Sequence, residues 1–340
     1  MKRIGSYLLL FSVLLTLVLC VPASAAGDTG QGNDQNSIEK NDQNGSSQNS
    51  AGQNNNDSVV TVKQGLLKEN GKYYFYSNGR KVKSTWKKIN GKRYYFTSKG
   101  YAATYSVKIK GKLYVFKTNG QLVEPAKASI VKVGKYSYYV NKSGVASTGW
   151  LLINKKLYYA DSKGRFLKNK TYQGVTFSGT GAAKSNTAAK LKIKTMNVAA
   201  SITTSKMSKS QKLRACWNYI TSSGKFRYWP HTPNTSKKGW QKDEAYSMLT
   251  TFKGSCSGFA CAFAALASEV GYDPYVIRGR VSGSRDGAAD GLTRHCWVKI
   301  DGRYYDPEAQ FAGWMRGVYG SSSYNIRHTI QMTVNFANSN

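Results

Sequence analysis

The stretch GSCSGFACAFAALASEVG, residues 254–271, decides the fold of the C-terminal half of this 340-residue chain. Its large apolar residues recur at helical spacing, and they are Phe259, Phe263, Leu266 and Val270. Gly271 is a typical stop signal, so the pattern predicts a buried helix that begins at Cys256. The unpaired amides at a helix start favour an anionic sulfur. Cys256 is therefore a candidate nucleophile as well as a candidate core residue.

A nucleophilic thiol needs a base, and the base needs a group that orients it. Of three histidines, His295 lies on a predicted strand that ends at the turn signal Asp301-Gly302. A two-residue turn there places Asp306 diagonally across from His295 on the same face, within reach of an imidazole N–H. Glu308, directly opposite His295, is the alternative partner.

The other cysteines that follow the N-terminal segment are predicted to be structural. Cys216 and Cys261 lie on apolar helix positions, and alternation turns Cys296 away from His295. The other two histidines are predicted to be surface residues. The sequence has no Cys-x-x-Cys, no paired histidines and no dense acidic cluster, so neither a metal site nor a cofactor is predicted.

Three segments resemble the transglutaminase-like superfamily of papain-like cysteine acyltransferases and proteases. They are KLRACWNYI, GSCSGFACAFAALASEVGYDPYVIRGRV and RHCWVKIDGRYYDPE, within residues 205–312. The resemblance implies an α+β domain in which the cysteine-bearing helix packs on an antiparallel sheet. It also implies acyl transfer through a cysteine thioester, with Cys256 as nucleophile, His295 as base and Asp306 as the orienting acid. Some members of that superfamily have lost activity.

Residues 70–170 repeat an aromatic pattern, GKxYYF followed by a glycine, with a period near 20 residues. The aligned glycines are Gly79, Gly100, Gly120, Gly144 and Gly164. A fixed short period predicts an all-β hairpin repeat solenoid in which neighbouring units stack, because one hairpin alone is unstable in water. The aligned glycines are predicted to form the hairpin turns.

This array resembles the cell-wall-binding repeats of exported Gram-positive proteins, the family of choline- and glucan-binding modules. In choline-binding members, aromatic rings form a cage around a quaternary ammonium. Here only two tryptophans fall in the array and lysines are abundant, which favours an anionic cell-wall polysaccharide or teichoic acid as ligand. The residues predicted to contact it are Tyr74, Trp86, Tyr95, Tyr114, Tyr138, Trp150 and Tyr158.

The N-terminus carries a basic pair, an apolar run and an A-x-A-like site, which predict a secretory signal peptide over residues 1–26. Residues 27–62 are rich in Asn, Gln and Ser, and predict a disordered tether. The signal peptide contributes +2 and the tether −4 to the net charge of +33, so residues 61–340 carry +35. A chain of this charge associates with polyanions.

The predicted domains that follow are wall-binding repeats over 63–184 and a transglutaminase-like cysteine domain over 185–340. The sequence thus predicts a secreted, wall-associated cysteine enzyme that cross-links or hydrolyses peptide and protein amides. The alternative is a non-catalytic wall-binding adhesin with a degenerate enzyme domain. A nucleic-acid binder is the weaker third interpretation of the charge, and no specific nucleic-acid partner or membrane span after signal cleavage is predicted.

Overall fold

The computed structural model describes residues 62–222 and 224–337. The predicted signal peptide lies outside these residues, as does the predicted tether apart from Val62. The chain divides into two compact units, one ending at Ala102 and the other beginning at Ala103. In the described part of the chain, no helix combines the length and the hydropathy that a membrane span requires.

The first unit consists of antiparallel strands. A three-stranded sheet precedes a hairpin, and the strands are β1 (Gly65–Glu69), β2 (Lys72–Ser77), β3 (Arg80–Lys81), β4 (Thr85–Ile89) and β5 (Lys92–Phe96). Alternation along β5 buries Tyr94 and Phe96, while Arg93 and Tyr95 stay partly exposed. The aromatic period-2 pattern therefore builds the small core of this unit.

The second unit begins with four more hairpins. Their strands are β6 (Tyr105–Ile109), β7 (Lys112–Phe116), β8 (Ser129–Val133), β9 (Tyr136–Val140), β10 (Gly149–Ile153), β11 (Lys156–Ala160), β12 (Thr171–Tyr172) and β13 (Val175–Thr176). Backbone hydrogen bonds join neighbouring hairpins: Ala146 N donates to Leu113 O at 2.7 Å. The described strands form separate small sheets, so the hairpin prediction is confirmed and the solenoid stays a prediction.

The aligned glycine forms the predicted hairpin turn in the first repeat, where Asn78-Gly79 joins β2 and β3, but not in the second. In the second repeat the two strands are joined at Asn90-Gly91, with φ values of 46° and 73°, and pair from Ile89–Lys92 outward. The aligned Gly100, with φ 82°, instead reverses the chain after the second strand. Both turns need positive φ, so the glycine pattern alone did not distinguish them.

The rest of the second unit combines helices with an antiparallel sheet, as predicted. The elements are α1 (Thr187–Ile202), α2 (Lys209–Ser222), β14 (Arg227–Tyr228), α3 (Trp240–Thr251), β15 (Lys253–Gly254), α4 (Cys256–Glu269), β16 (Tyr275–Ser282), β17 (Leu292–Ile300), β18 (Arg303–Tyr305), α5 (Pro307–Ala312), β19 (Tyr319–Ser321) and β20 (His328–Asn335). The five-stranded sheet has the order β19-β18-β17-β16-β20, and every pairing is antiparallel.

Helix α4 is the centre of this region and is buried from Cys256 to Ala267. Its many alanines leave room for α3 and β17 to approach closely, while Phe259 and Phe263 fill the core between them. The face of β17 that carries Cys296 joins this core, and the face that carries Trp297 packs in a second cluster. Both faces of the central strand are thus buried.

Candidate active site

Cys256 is the first residue of α4 and follows Ser255 in extended conformation. Gly254 pairs with Tyr228 across the short parallel β14–β15 ladder, which fixes the chain immediately before the helix. A Cβ on Gly254 would lie 2.7 Å from Met248 Sδ, so a larger residue here would force the Met248 side chain to move. The Cys256 thiol is 8% exposed and lies at the amide end of the helix, where partial positive charge favours a thiolate.

His295 and Asp306 are brought together by the hairpin of β17 and β18. The strands pair Ile300 with Arg303, the register that a turn at Asp301-Gly302 predicts. Asp306 Oδ2 accepts a hydrogen bond from His295 Nε2 at 2.7 Å, and both side chains are fully buried. Asp306 is also the N-cap of α5.

Three donors hold the Asp306 carboxylate in place. Besides His295, the Ala309 N–H donates to Oδ1 at 3.0 Å, and the buried Tyr324 hydroxyl donates to Oδ2 at 2.6 Å. The Tyr324 ring stacks on Trp297 with centroids 4.7 Å apart. Tyr324 is therefore a positioning residue that the sequence analysis missed.

The charges of the site favour a thiolate–imidazolium pair. Burial lowers the pKa of His295, but the charge and hydrogen bond of Asp306 outweigh it and raise that pKa to about 10. The pKa of the Cys256 thiol is held well below its ordinary value by a hydrogen bond from Cys296 and by His295, against the effect of burial. His295 Nδ1 is buried without a hydrogen-bond partner in the described residues, and it is the ring nitrogen left to face Cys256.

Cys296 has a different environment from the one the sequence predicted. It is buried, as expected, but its sulfur lies 3.1 Å from Ser257 Oγ and hydrogen-bonds to Cys256. Alternation correctly turns it from the face of His295, yet the face it occupies is the one covered by α4. Cys216 and Cys261 are buried in the core as predicted, and all four described cysteines are free thiols.

Glu308, the alternative partner of His295, makes no hydrogen bond to it. Its Oε2 lies 3.8 Å from His295 Nδ1 and instead accepts from Trp314 Nε1 at 3.1 Å. Burial raises the pKa of the Glu308 carboxyl. His295, Asp306 and Glu308 also form a group of potential metal-ligating side chains, with their ligand atoms within 4.8 Å of one another. The hydrogen bond between His295 and Asp306 already engages one nitrogen and one oxygen of that group.

A cavity of about 210 Å³ opens in front of Cys256. Its lining combines neutral residues, two histidines, three arginines and one carboxylate: Tyr228, Pro230, His231, Thr232, Pro233, Ser255, Cys256, Ser257, Arg278, Arg285, Asp286, Arg294, His295 and Cys296. His231 is half-exposed, as predicted, and contacts Glu244 at 3.1 Å. The cavity leaves Cys256 accessible to a substrate although most of its surface is covered.

The aromatic residues predicted to contact a wall ligand fall into two groups. Tyr138 and Tyr158 are buried in repeat cores, where their rings hold the hairpins together, so a polymer cannot reach them. The other five are partly exposed: Tyr74, Trp86, Tyr95, Tyr114 and Trp150.

Cations of the chain itself lie over several of these exposed rings. Lys81 Nζ is 3.5 Å from the Tyr74 ring centroid, and Lys192 Nζ is 5.1 Å from that of Trp150. A quaternary ammonium could occupy those faces only by displacing the lysine, because cation–π contact uses the ring face.

Two family models match separate parts of the chain. Residues 196–316 match the model of the transglutaminase-like superfamily, and residues 84–102 and 148–166 match that of a cell wall binding repeat. The search of curated proteins gave no match.

Solved structures match the repeats. Choline binding protein F from Streptococcus pneumoniae is 27% identical, with 37% of this chain and 49% of that chain covered and a TM-score of 0.22. Truncated alternansucrase from Leuconostoc mesenteroides is 31% identical over 35% of this chain and 11% of that chain, with a TM-score of 0.25. The match spans less than half the length of either protein. The chain carries a transglutaminase-like core over residues 196–316 and, N-terminal to it, repeats of the cell-wall-binding type.

Proposed function

We propose that this protein is an exported, wall-retained cysteine enzyme that transfers acyl groups from peptide or protein amides. Cys256 is the nucleophile, His295 the base and Asp306 the orienting acid. The observation that carries the proposal is the His295 ring, which donates a hydrogen bond through Nε2 to a buried carboxylate, while its buried Nδ1 accepts none from the described residues and is left to interact with Cys256. A structural histidine in a core ordinarily has both nitrogens satisfied.

The chemistry follows from these groups. The Cys256 thiolate attacks the amide carbonyl carbon, and the carbonyl π electrons move to oxygen, where backbone N–H groups at the start of α4 can donate. The C–N bond then breaks, the imidazolium gives its proton to the departing nitrogen, and a thioester remains on Cys256. A second amine or water attacks the thioester carbonyl carbon and passes its proton to His295. The C–S bond then breaks, which releases the new amide or acid and regenerates the thiolate–imidazolium pair.

The repeats supply the wall association in this proposal. Exposed lysines and aromatic rings alternate along the hairpins, and lysines cover the ring faces that would hold choline. An anionic glycan or teichoic acid fits such a surface better than a cationic headgroup does. Binding to purified walls should therefore weaken as salt rises and persist in free choline. Displacement by choline at low salt would contradict this assignment.

The test of catalysis uses the mature protein with a dansylated amine and a cell-surface extract. Incorporation of the dansyl group indicates cross-linking, and release of new amino termini indicates hydrolysis. Cys256→Ala should abolish either product and keep wall binding. Cys216→Ala, which removes a thiol buried in the core, is the matched control and should keep activity. Absence of any product together with wall binding would favour the non-catalytic adhesin.

A further inference from the structure

The cavity at Cys256 carries an excess of positive charge that the triad does not use. Arg278, Arg285 and Arg294 line it, against the single carboxylate of Asp286. Asp286 is committed to Arg294, whose Nε lies 3.0 Å and whose backbone N lies 2.7 Å from its Oδ2. One cation of the three is thereby neutralised, and two remain.

Neither of the two remaining arginines pairs with a carboxylate in the described part of the chain. Arg285 donates to the Tyr228 hydroxyl at 2.8 Å and to the Arg294 carbonyl at 2.9 Å, both of them neutral acceptors. Arg278 is half-buried, and its guanidinium makes no hydrogen bond or ion pair to the residues that the structure describes, 62–222 and 224–337. A partly desolvated guanidinium without an acceptor is unfavourable on its own and gains most when a carboxylate binds.

The position of Arg278 is fixed by the sheet. Its strand, β16, pairs on one side with β17 and on the other with β20, and Arg278 lies directly opposite Cys296. Cross-strand partners project to the same face, so Arg278 shares the α4 face with the sulfur that contacts Cys256. Arg278 also lines a groove that continues from the cavity past Arg280, whose guanidinium is paired with Asp290.

We infer that Arg278, assisted by Arg285, binds a carboxylate of the substrate, so the enzyme acts on acidic peptides. The inference rests on the proposed function, because it names the substrate class of the same site. Arg278 and Cys256 line the same cavity, of about 210 Å³. The carboxylate therefore lies close in the peptide to the amide that Cys256 attacks. The fork of arginine suits a carboxylate, which it holds through two parallel hydrogen bonds.

The test separates recognition from turnover. Dansylated tetrapeptide amides with glutamate at each of the four positions in turn are compared with their glutamine isosteres. Binding is measured by fluorescence anisotropy on full-length Cys256→Ala protein, and turnover on the wild type. We expect at least one glutamate peptide to bind about ten- to a hundredfold tighter than its isostere, the range of a charge-assisted bidentate contact. Arg278→Gln should remove that preference, Arg278→Lys should restore part of it, and Arg303→Gln, an equal charge change at the hairpin turn, should leave it intact.

Each outcome decides one question. Turnover without a glutamate preference at any position overturns the carboxylate site and leaves the proposed enzyme standing. A preference in Cys256→Ala that Arg278→Gln abolishes supports the site even when the wild type turns over neither peptide. Tighter binding of a poly(glycerol phosphate) chain than of every glutamate peptide, with the same loss in Arg278→Gln, overturns the inference in favour of a polymer phosphate.

Discussion

Replacing Asp306 by asparagine tests whether this carboxylate is what makes Cys256 reactive. The change is nearly isosteric, and an asparagine Oδ1 can still accept from the Ala309 N–H that begins α5. What it removes is the negative charge 2.7 Å from His295 Nε2. Burial, the largest single influence on the His295 pKa, then lowers it from about 10 against only the hydrogen bond and charge of Cys256, so the imidazole loses its proton more readily.

The neutral imidazole can no longer stabilise the thiolate. The pKa of Cys256 should rise toward the ordinary 9.0, at which about 1% of thiols are ionised at pH 7. The hydrogen bond from Cys296 survives and limits the rise. Alkylation of Cys256 by iodoacetamide at pH 7 should therefore slow by about ten- to a hundredfold, since only the thiolate reacts.

The assay follows carboxamidomethylation of Cys256 by mass spectrometry from pH 5 to 10. The wild-type rate should stay nearly constant between pH 6 and 9, whereas the Asp306→Asn rate should climb throughout that range. Glu308→Gln is the matched control, because it removes the other nearby carboxylate, 3.8 Å from Nδ1. An unchanged profile in Asp306→Asn, or a larger loss in Glu308→Gln than in Asp306→Asn, would refute the assignment.

Three further changes probe the same site and its scaffold. Tyr324→Phe removes the hydroxyl that donates to Asp306 at 2.6 Å but keeps the ring, so kcat should fall about tenfold with KM unchanged and the folded fraction, measured by circular dichroism, unchanged; an unchanged kcat would refute the positioning role. The free energy of unfolding in urea should not change from about pH 6.5 to 9, because folded and unfolded chains each hold one proton on this pair, on His295 when folded and on Cys256 when unfolded. Above pH 9 the unfolded Cys256 loses its proton, whereas the folded His295 keeps its own until about pH 10, so the free energy of unfolding should fall. In Cys256→Ala the fall should begin near pH 6.5, and a pH profile of stability identical to that of the wild type would exclude the ion pair. Gly279→Ala places a methyl group against the carbonyl oxygen of β20 and should cost about 3 kcal/mol by thermal unfolding, whereas a cost near zero would show that β20 can move.

The hairpin of β17 and β18 shows how much local sequence patterns can predict. A two-residue turn at Asp301-Gly302 dictates the register of the strands on both sides, so spacing alone placed Asp306 beside His295. Helix α4 was equally predictable, because its periodicity and its start at Cys256 are local properties. Burial excludes Tyr138 and Tyr158 as wall contacts. The sequence could not predict this, because the aromatic period does not show which rings face the core.

The contacts that the sequence analysis missed join elements far apart in the chain. Tyr324, in the segment between β19 and β20, contacts Asp306. Strand β20 pairs with β16 at the other edge of the sheet and not with β19, its neighbour in sequence. No local period specifies that crossover. Cys296 was assigned to the correct face of β17, but only the packing of α4 on that face reveals that it meets Cys256.

The positive charge of the protein has two proposed roles, one at Cys256 and one in wall binding, and they differ in the distance over which the charge acts. At the cavity, the charge of Arg285 helps to lower the pKa of Cys256, and salt screens the charge of a buried group weakly. The lysines of the repeats act on a polymer through solvent, where the Debye length is about 8 Å at physiological ionic strength. Raising salt should therefore release the protein from walls long before it alters the ionisation of Cys256. If wall binding and the ionised fraction of Cys256 fell together as salt rose, the thiolate would depend on the diffuse charge of the chain rather than on the groups that line its cavity.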